Sequence, residues 1–177
     1  MEEGIVWRLL AALVYVFPAY VANGAPVVAV RLVGSTHPLD FGRTFLDGRR
    51  LLGDGKTVEG LVTGIAAGSA AGLAVLLLSP GTFRHAAEPV LLSAGAMFGD
   101  VLGSFAKRRA GIERGASVPA LDQLGFLVAA LIVSWAAFGH PSWADPLTVA
   151  LLMLVTAALH VGTNAGAYLI GLKDRWY

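Results

Sequence analysis

The sequence predicts an all-α integral membrane protein of five transmembrane helices, with the N-terminus outside and the C-terminus cytoplasmic. Three observations carry this expectation. Of 177 residues, 56% are hydrophobic and 14% charged, with a mean hydropathy of +0.68, whereas a soluble domain carries about 25% charge. The apolar residues gather in blocks near the roughly 20 residues that a helix needs to cross a hydrocarbon core about 30 Å thick. The Lys and Arg residues concentrate between alternate blocks, as they do on the cytoplasmic side of membrane proteins. Thirteen Lys and Arg against twelve Asp and Glu leave a formal charge of +1, so net charge identifies no partner. The chain has no Cys, which excludes disulfides, thiolate metal sites and a Cys nucleophile.

The five blocks run approximately over Ile5–Val30, Val58–Ser79, Glu88–Phe105, Leu121–Gly139 and Pro146–Ile170. The first is too long for a signal peptide, begins after Glu2 and Glu3 rather than a basic region, and has no convincing cleavage site. It reads as a retained helix. Arg31, Arg43, Arg49, Arg50 and Lys56 then fall at or in the first loop, Lys107, Arg108, Arg109 and Arg114 in the third, and Lys173 and Arg175 in the tail. Only Arg84 falls in an opposite-side loop, while Arg8 sits near the start of the first span. Neither basic loop has the apolar content for a core of its own. Residues 1–177 therefore read as one polytopic membrane domain with cytoplasmic loops at about 31–57 and 106–120. The first of these is longer than most helix connections, and its Asp47-Gly48 and Gly53-Asp54-Gly55 signals predict local turns.

Polar groups inside such a bundle require a reason, because a charge in hydrocarbon costs at least about 2.5–3.5 kcal/mol. Asp100 stands about two turns before Lys107, and a 3.6-residue period groups Asp100, Ser104, Lys107 and Arg108 on one side of the third helix. Gly99 and Gly103 allow a neighbouring helix or a ligand to approach. The plainer alternative is an Asp satisfied by a nearby Lys, with Lys107 to Arg109 serving as a topology anchor. Asp122 opens the fourth span after Pro119, where a carboxylate also favours a helix N-terminus. If spans three and four form an antiparallel hairpin, both acids approach one interface. Two carboxylates facing several cations suit Mg²⁺ on a phosphate-bearing substrate.

Gly55-Lys56-Thr57 resembles part of a nucleotide-binding P-loop, but Arg50 occupies the required upstream Gly position and no strand precedes it. A Gly-flanked Lys beside Thr remains suited to phosphate through its ammonium and backbone N–H groups, or to a simple topology role. Asn23-Gly24-Ala25-Pro26 predicts a helix break near the cytoplasmic end of the first span, which is tolerated only against protein or a cavity. Asn23 could satisfy that backbone or face a ligand. His160 and Asn164 share a face of the last span and read as helix-to-helix hydrogen-bonding groups. The Gly64, Gly68 and Gly72 repeat reads as a tight helix contact rather than a lipid groove.

Taken together, these residues resemble the archaeal CDP-archaeol synthases, which activate an ether-linked isoprenoid lipid phosphate with CTP. The resemblance covers nearly the whole chain. It rests on Asn23-Gly24-Ala25-Pro26, on the segment from Asp47 to Thr57, on the segment from Gly99 to Arg109, on Pro119 to Leu124, and on His160, Asn164 and Lys173-Asp174. A more distant similarity joins it to phosphatidate cytidylyltransferases, whose Ser-x-x-Lys-Arg run and following acid are matched by Ser104, Lys107, Arg108 and Asp122. Their His-Gly-Gly is lacking here, and Gly125 stands where their last Asp would be.

The resemblance implies transfer of CMP from CTP to 2,3-bis-O-geranylgeranyl-sn-glycerol 1-phosphate, giving CDP-archaeol and pyrophosphate with Mg²⁺ as cofactor. In that reading Asp100 and Asp122 hold the metal, and Lys107 and Arg108 act with them at the reacting phosphates. Lys56, Thr57, Ser104 and Asn23 line the CTP and lipid-phosphate site. The implied setting is the cell membrane, with the active site facing the cytoplasm and membrane lipids as surroundings. Nothing in the chain points to nucleic acid or to a protein partner. A small ion-coupled transporter is the alternative, since it could also place Asp100, His160 and Asn164 inward. It would distribute such groups through the membrane depth, whereas here they gather near the cytoplasmic ends.

The absence of native Cys permits a direct test of topology by impermeant thiol labelling of single-Cys variants. Positions 49 and 84 are expected to react from opposite sides of the membrane; reaction from the same side would overturn the orientation.

Overall fold

The computed structural model describes residues 4–172, so Glu2, Glu3, Lys173, Asp174 and Arg175 lie outside the described residues. Its five helices are α1 (Ile5–Val33), α2 (Val58–Leu78), α3 (Glu88–Arg109), α4 (Pro119–Phe138) and α5 (Pro146–Leu169). Each is long and apolar enough to cross a membrane. Most predicted boundaries fall within a few residues of these. The main difference is that α3 continues through Lys107, Arg108 and Arg109, which belong to its last turn rather than to a loop. Cations there complement the helix C-terminus, so the basic run extends α3 instead of ending it.

Local chemistry sets the helix starts. The Thr57 hydroxyl accepts the Gly60 N–H at 3.0 Å and caps α2, while Asp145 accepts from Leu147 and Thr148 N–H at 3.1 Å and caps α5. Pro119 and Pro146 occupy the first turns of α4 and α5, where their missing N–H removes no helical bond.

The predicted break at Asn23–Pro26 does not occur: α1 is continuous through both Pro18 and Pro26. Pro26 leaves the Ala22 carbonyl without its intrahelical donor. That oxygen faces Gly64 of α2, 2.8 Å from where a Cβ would stand. The close α2 backbone covers it and lets the helix run on.

The glycine repeat is a helix contact, as its spacing predicts. Gly60, Gly64, Gly68 and Gly72 are the buried residues of α2. They pack against Pro18 and Ala22 of α1 and against Pro89, Ser93 and Met97 of α3. On α3, Gly95 and Gly99 do the same toward α4, with the Gly125 carbonyl 2.6 Å from a Cβ placed at Gly99. Helices in lipid gain no hydrophobic energy from meeting, so close van der Waals contact between small residues replaces it. α3 is thus packed on α1, α2 and α4, while α1 touches all four other helices.

The end of the bundle carrying Arg8 and Arg84 is fastened by ion pairs. The buried Glu88 carboxylate accepts from Arg84 Nε at 2.9 Å, and Arg84 also donates to the Phe138 and Gly139 carbonyls at 2.8 and 2.9 Å. Arg8 pairs with Asp145 at 3.1 Å. Between these ends lies a core of Tyr15, Leu92, Leu127 and Leu152, with the Tyr15 hydroxyl 2.7 Å from Ser134 Oγ.

Gly68→Ala should lower stability by about 1–3 kcal/mol through overpacking, because its Cβ would lie 2.5 Å from both the Pro18 carbonyl and Ser93 Oγ. Gly162→Ala meets open space and should be neutral or stabilising. Thermal unfolding in detergent checks the pair; equal losses would remove the close-contact explanation.

Candidate functional site

At the end opposite Arg84, the five helices diverge around a cavity of about 850 Å³. Its walls come from the second half of α1, the start of α2, the second half of α3, the start of α4 and the second half of α5. Tyr20, Met97, Phe126 and Thr156 contribute to the lining. The Tyr20 and Thr156 hydroxyls lie 2.6 Å apart, so this polar pair is satisfied where α1 meets α5.

Asn23, Lys56, Thr57, Asp100, Ser104, Lys107 and Asp122 all line this one cavity, although they come from four separated segments. Asp100 and Asp122 reach it because the Gly95–Gly99 face draws α4 against α3. Lys56 reaches it because the long loop folds back over the end of the bundle. Arg108, expected on the same face, is not among the lining residues. At 100° per residue it lies about 80° around α3 from Asp100, whereas Lys107 lies about 20° away. Arg108 belongs to the edge of that polar stripe rather than to its centre.

The charges form two acid–base pairs. Lys56 Nζ is 2.5 Å from Asp100 Oδ2, and Lys107 Nζ is 2.9 and 3.0 Å from the two Asp122 oxygens. All four side chains are partly exposed to the cavity, Lys107 least at 13%. Asp122 also accepts the Val118 N–H at 2.8 Å, so it serves the start of α4 while facing the site. The Thr57 hydroxyl is occupied by its helix cap; Thr57 borders the cavity mainly as the residue that starts α2 after Lys56.

Sequence patterning assigned Arg31 and Arg114 to topology and His160 and Asn164 to helix contacts, yet all four line the cavity. No spacing rule reveals Arg31 or Arg114, because their approach depends on how the loops fold. Asp40 was also missed. It is 5% exposed and accepts from the Gly42, Leu52 and Gly53 N–H groups at 3.1, 3.0 and 2.9 Å and from Arg50 at 2.6 and 3.2 Å. Lys56 N–H in turn donates to the Gly53 carbonyl at 3.3 Å, and Leu39 N–H to the Lys56 carbonyl at 2.7 Å. A buried loop carboxylate thereby sets the backbone from which Lys56 reaches Asp100. Its sequence signal is weak: a lone Asp two residues before a Gly, ten residues from its Arg partner.

Among the described residues, no three His, Cys, Asp or Glu side chains gather as a metal cage. Two carboxylates on one cavity suit the other mode of Mg²⁺ binding, in which one or two acids share the ion with substrate phosphates and water. Asp100 and Asp122, each now neutralised by a Lys, fit that role.

These features define a multi-pass membrane protein with a charged cleft at one end of its bundle. The family model described as CarS-like, CDP-archaeol synthase matches residues 5–177. A CDP-archaeol synthase of Aeropyrum pernix is 47% identical over 98% of this chain and 97% of its own length. That of Methanopyrus kandleri is 42% identical over 98% and 96% respectively. A solved structure described as an intramembrane enzyme for archaeal membrane lipid biosynthesis superposes with a TM-score of 0.79, at 45% identity over 88% of this chain and 94% of that one. The fold and the family match are those of a membrane-embedded, CTP-dependent nucleotidyltransferase. The chain belongs to the CDP-archaeol synthase family.

Arg50 hydrogen bonds, followed by the three backbone donors, hold the Asp40 carboxyl well below the usual carboxylate range. A lowered folded pKa means that its stabilisation is fully present above the ordinary value of about 3.9 and is lost only as pH falls through the folded value. Loop protection should therefore persist through pH 4 and fail only well below it. At neutral pH, Asp40→Asn should weaken the loop by about 1.5–3 kcal/mol, the range for hydrogen bonds to a charged group, and speed tryptic cleavage at Arg43 and Arg49 by about 10–100-fold. Unchanged cleavage would remove Asp40 as the loop's organiser.

Proposed function

We propose that the chain transfers CMP from CTP to an isoprenoid ether-lipid phosphate, such as 2,3-bis-O-geranylgeranyl-sn-glycerol 1-phosphate, giving CDP-archaeol and pyrophosphate. The observation that carries this reading is the pair of Lys–carboxylate contacts in one cavity, Lys56 with Asp100 and Lys107 with Asp122. In the proposed arrangement residues 1–177 act as one polytopic membrane domain with an outside N-terminus, and the cavity opens to the cytoplasm, where CTP is available.

A phosphate monoester has a second pKa near about 6 and is largely dianionic at neutral pH, so a lipid phosphate oxygen can attack the α-phosphorus of CTP without a dedicated base. The new oxygen–phosphorus bond forms as the bond to the β-phosphate bridging oxygen breaks, and pyrophosphate leaves with that electron pair. Like-charge repulsion is the main obstacle, since about four negative charges on CTP meet about two on the lipid.

The chain opposes that repulsion with Lys56, Lys107, Arg31 and Arg114, all on the cavity. As phosphates enter, Lys56 and Lys107 exchange a carboxylate oxygen for a phosphate oxygen. Asp100 and Asp122 would then be the residues that hold Mg²⁺. Bound there with the phosphates, Mg²⁺ would supply charge neutralisation and Lewis-acid polarisation of the leaving group. Asn23 and Ser104 offer hydrogen bonds to the phosphates or sugar. Thr57 fixes the start of α2 beside Lys56. Arg108, off the cavity wall, acts at the rim through its charge. Val28 of α1 and Leu159 of α5 line the cavity while remaining 46% and 47% exposed, so the lipid chains can lie between α1 and α5 with the headgroup inside.

Purified protein supplied with Mg²⁺, labelled CTP and the lipid phosphate should release pyrophosphate and form CDP-lipid. Asp100→Asn should reduce turnover by at least about 10²-fold, as removal of a transition-state electrostatic group does, while the variant still inserts and folds. Lys56→Met should raise the CTP concentration needed for half-maximal rate. Full activity in a well-folded Asp100→Asn protein would sink the assignment.

A further inference from the structure

The long loop does more than carry Lys56. Its middle forms a short hairpin: Thr44 and Arg50 are bridged, Phe45 N–H donates to the Arg49 carbonyl at 2.8 Å, and Gly48 N–H donates to the Phe45 carbonyl at 3.0 Å. This hairpin displays apolar side chains outward. Phe41 is 70% exposed and Leu46 96% exposed, with Phe45 at 42%. Phe41 also has φ +48°, a left-handed conformation costly for a bulky residue. Such conformations persist where the surrounding structure enforces them, and here the conformation accompanies an outward Phe.

The hairpin is docked on the C-terminal end of α3. Phe45 packs edge-on against Phe105, with centroids 5.6 Å apart, and the Arg109 guanidinium lies 4.8 Å from the Phe45 ring and 5.2 Å from the Phe105 ring. Phe105 follows Glu88 by about 26 Å of helix, a rise comparable with the roughly 30 Å thickness of a hydrocarbon core. Phe98, Leu102 and Phe105 recur at i, i+4 and i+7 on α3, and Phe98 and Leu102 are 54% and 45% exposed. They form a lipid-facing stripe, and Phe45 continues it into the loop. Charge agrees with that placement. Asp47, the acid at the hairpin tip, is paired with Arg109, while Arg43 and Arg49 are exposed beside the apolar residues. An apolar tip flanked by cations is complementary to the headgroup region of an anionic bilayer.

We propose that residues 41–46 form an interfacial anchor. Phe41 and Leu46 enter the acyl boundary of the bilayer, and Arg43 and Arg49 meet anionic headgroups. The continuity with α3 makes the bilayer, rather than a second protein, the occupant of this surface.

The absence of native Cys allows spin labels at single sites in the full chain, reconstituted in phosphatidylcholine nanodiscs with and without phosphatidylglycerol. Leu46→Cys is the test site, Leu102→Cys the lipid-facing reference, and Asp54→Cys, exposed elsewhere in the loop, the aqueous reference. The ratio of collision with oxygen to collision with a water-soluble nickel chelate should be several-fold higher at position 46 than at 54 and close to that at 102. Added phosphatidylglycerol should raise it further, and Arg43→Gln should abolish that increase. A ratio at 46 matching that at 54 would overturn the proposal, as would dipolar broadening between labels at 46, which would show a second copy covering the surface. Leu46 makes almost no intramolecular packing, so the label does not threaten the fold, and the readout is independent of cytidylyl transfer.

Discussion

Everything in this protein rests on how closely α3 approaches its neighbours. In hydrocarbon, apolar side chains gain nothing by meeting each other instead of lipid, so helices associate where backbones can come within van der Waals range. Gly60, Gly64, Gly68 and Gly72 provide that contact from α2, and Gly95 and Gly99 provide it from α3 toward α4. The consequence is positional. An α4 backbone set directly against Gly99 puts Asp122 on the same cavity as Asp100, one residue beyond that glycine.

The same geometry explains how charged groups persist in a largely apolar bundle. Each acid facing the cavity is met by a Lys from another segment, which avoids leaving a carboxylate unpaired in a low-dielectric setting. Such pairs are also exchangeable. A partly exposed Lys can move its bond from a carboxylate to a phosphate at little cost, because the ammonium remains neutralised throughout. In the proposed reading, a site pre-stocked with compensating charges would accept a polyanion and release two acids toward a divalent cation. At the other end, Arg84 donates to the Phe138 and Gly139 carbonyls at the end of α4 and to the Glu88 carboxylate, a closed arrangement that fastens the helices.

The long loop links these two themes. Asp40 organises it through five hydrogen bonds, to Arg50 and to the Gly42, Leu52 and Gly53 backbone, and Arg109 clasps it to α3 through Asp47 and the Arg49 and Arg50 carbonyls. A loop held at both points can present Lys56 at a fixed place on the cavity. Electrostatic catalysis depends on such preorganisation, since groups already aimed need no reordering when charge develops.

The helices, their order and the residue types of the site were legible in the sequence because hydropathy and charge segregation are properties of short windows. The glycine repeat was equally legible, since four-residue spacing defines one helix face. The continuity of α1 through Pro26 was not, because the freed Ala22 carbonyl is covered by Gly64, far away in sequence. Asp40 and Arg114 were likewise hidden, since a loop residue acquires its role only when the loop folds back. Arg108 fell outside the cavity because helical phase is sensitive to a single residue step. The sequence by itself therefore determined the membrane spans, the charged segments and the chemistry they could perform. Tertiary structure alone decided which charges share a cavity, because that depends on long-range backbone contacts that no local pattern encodes.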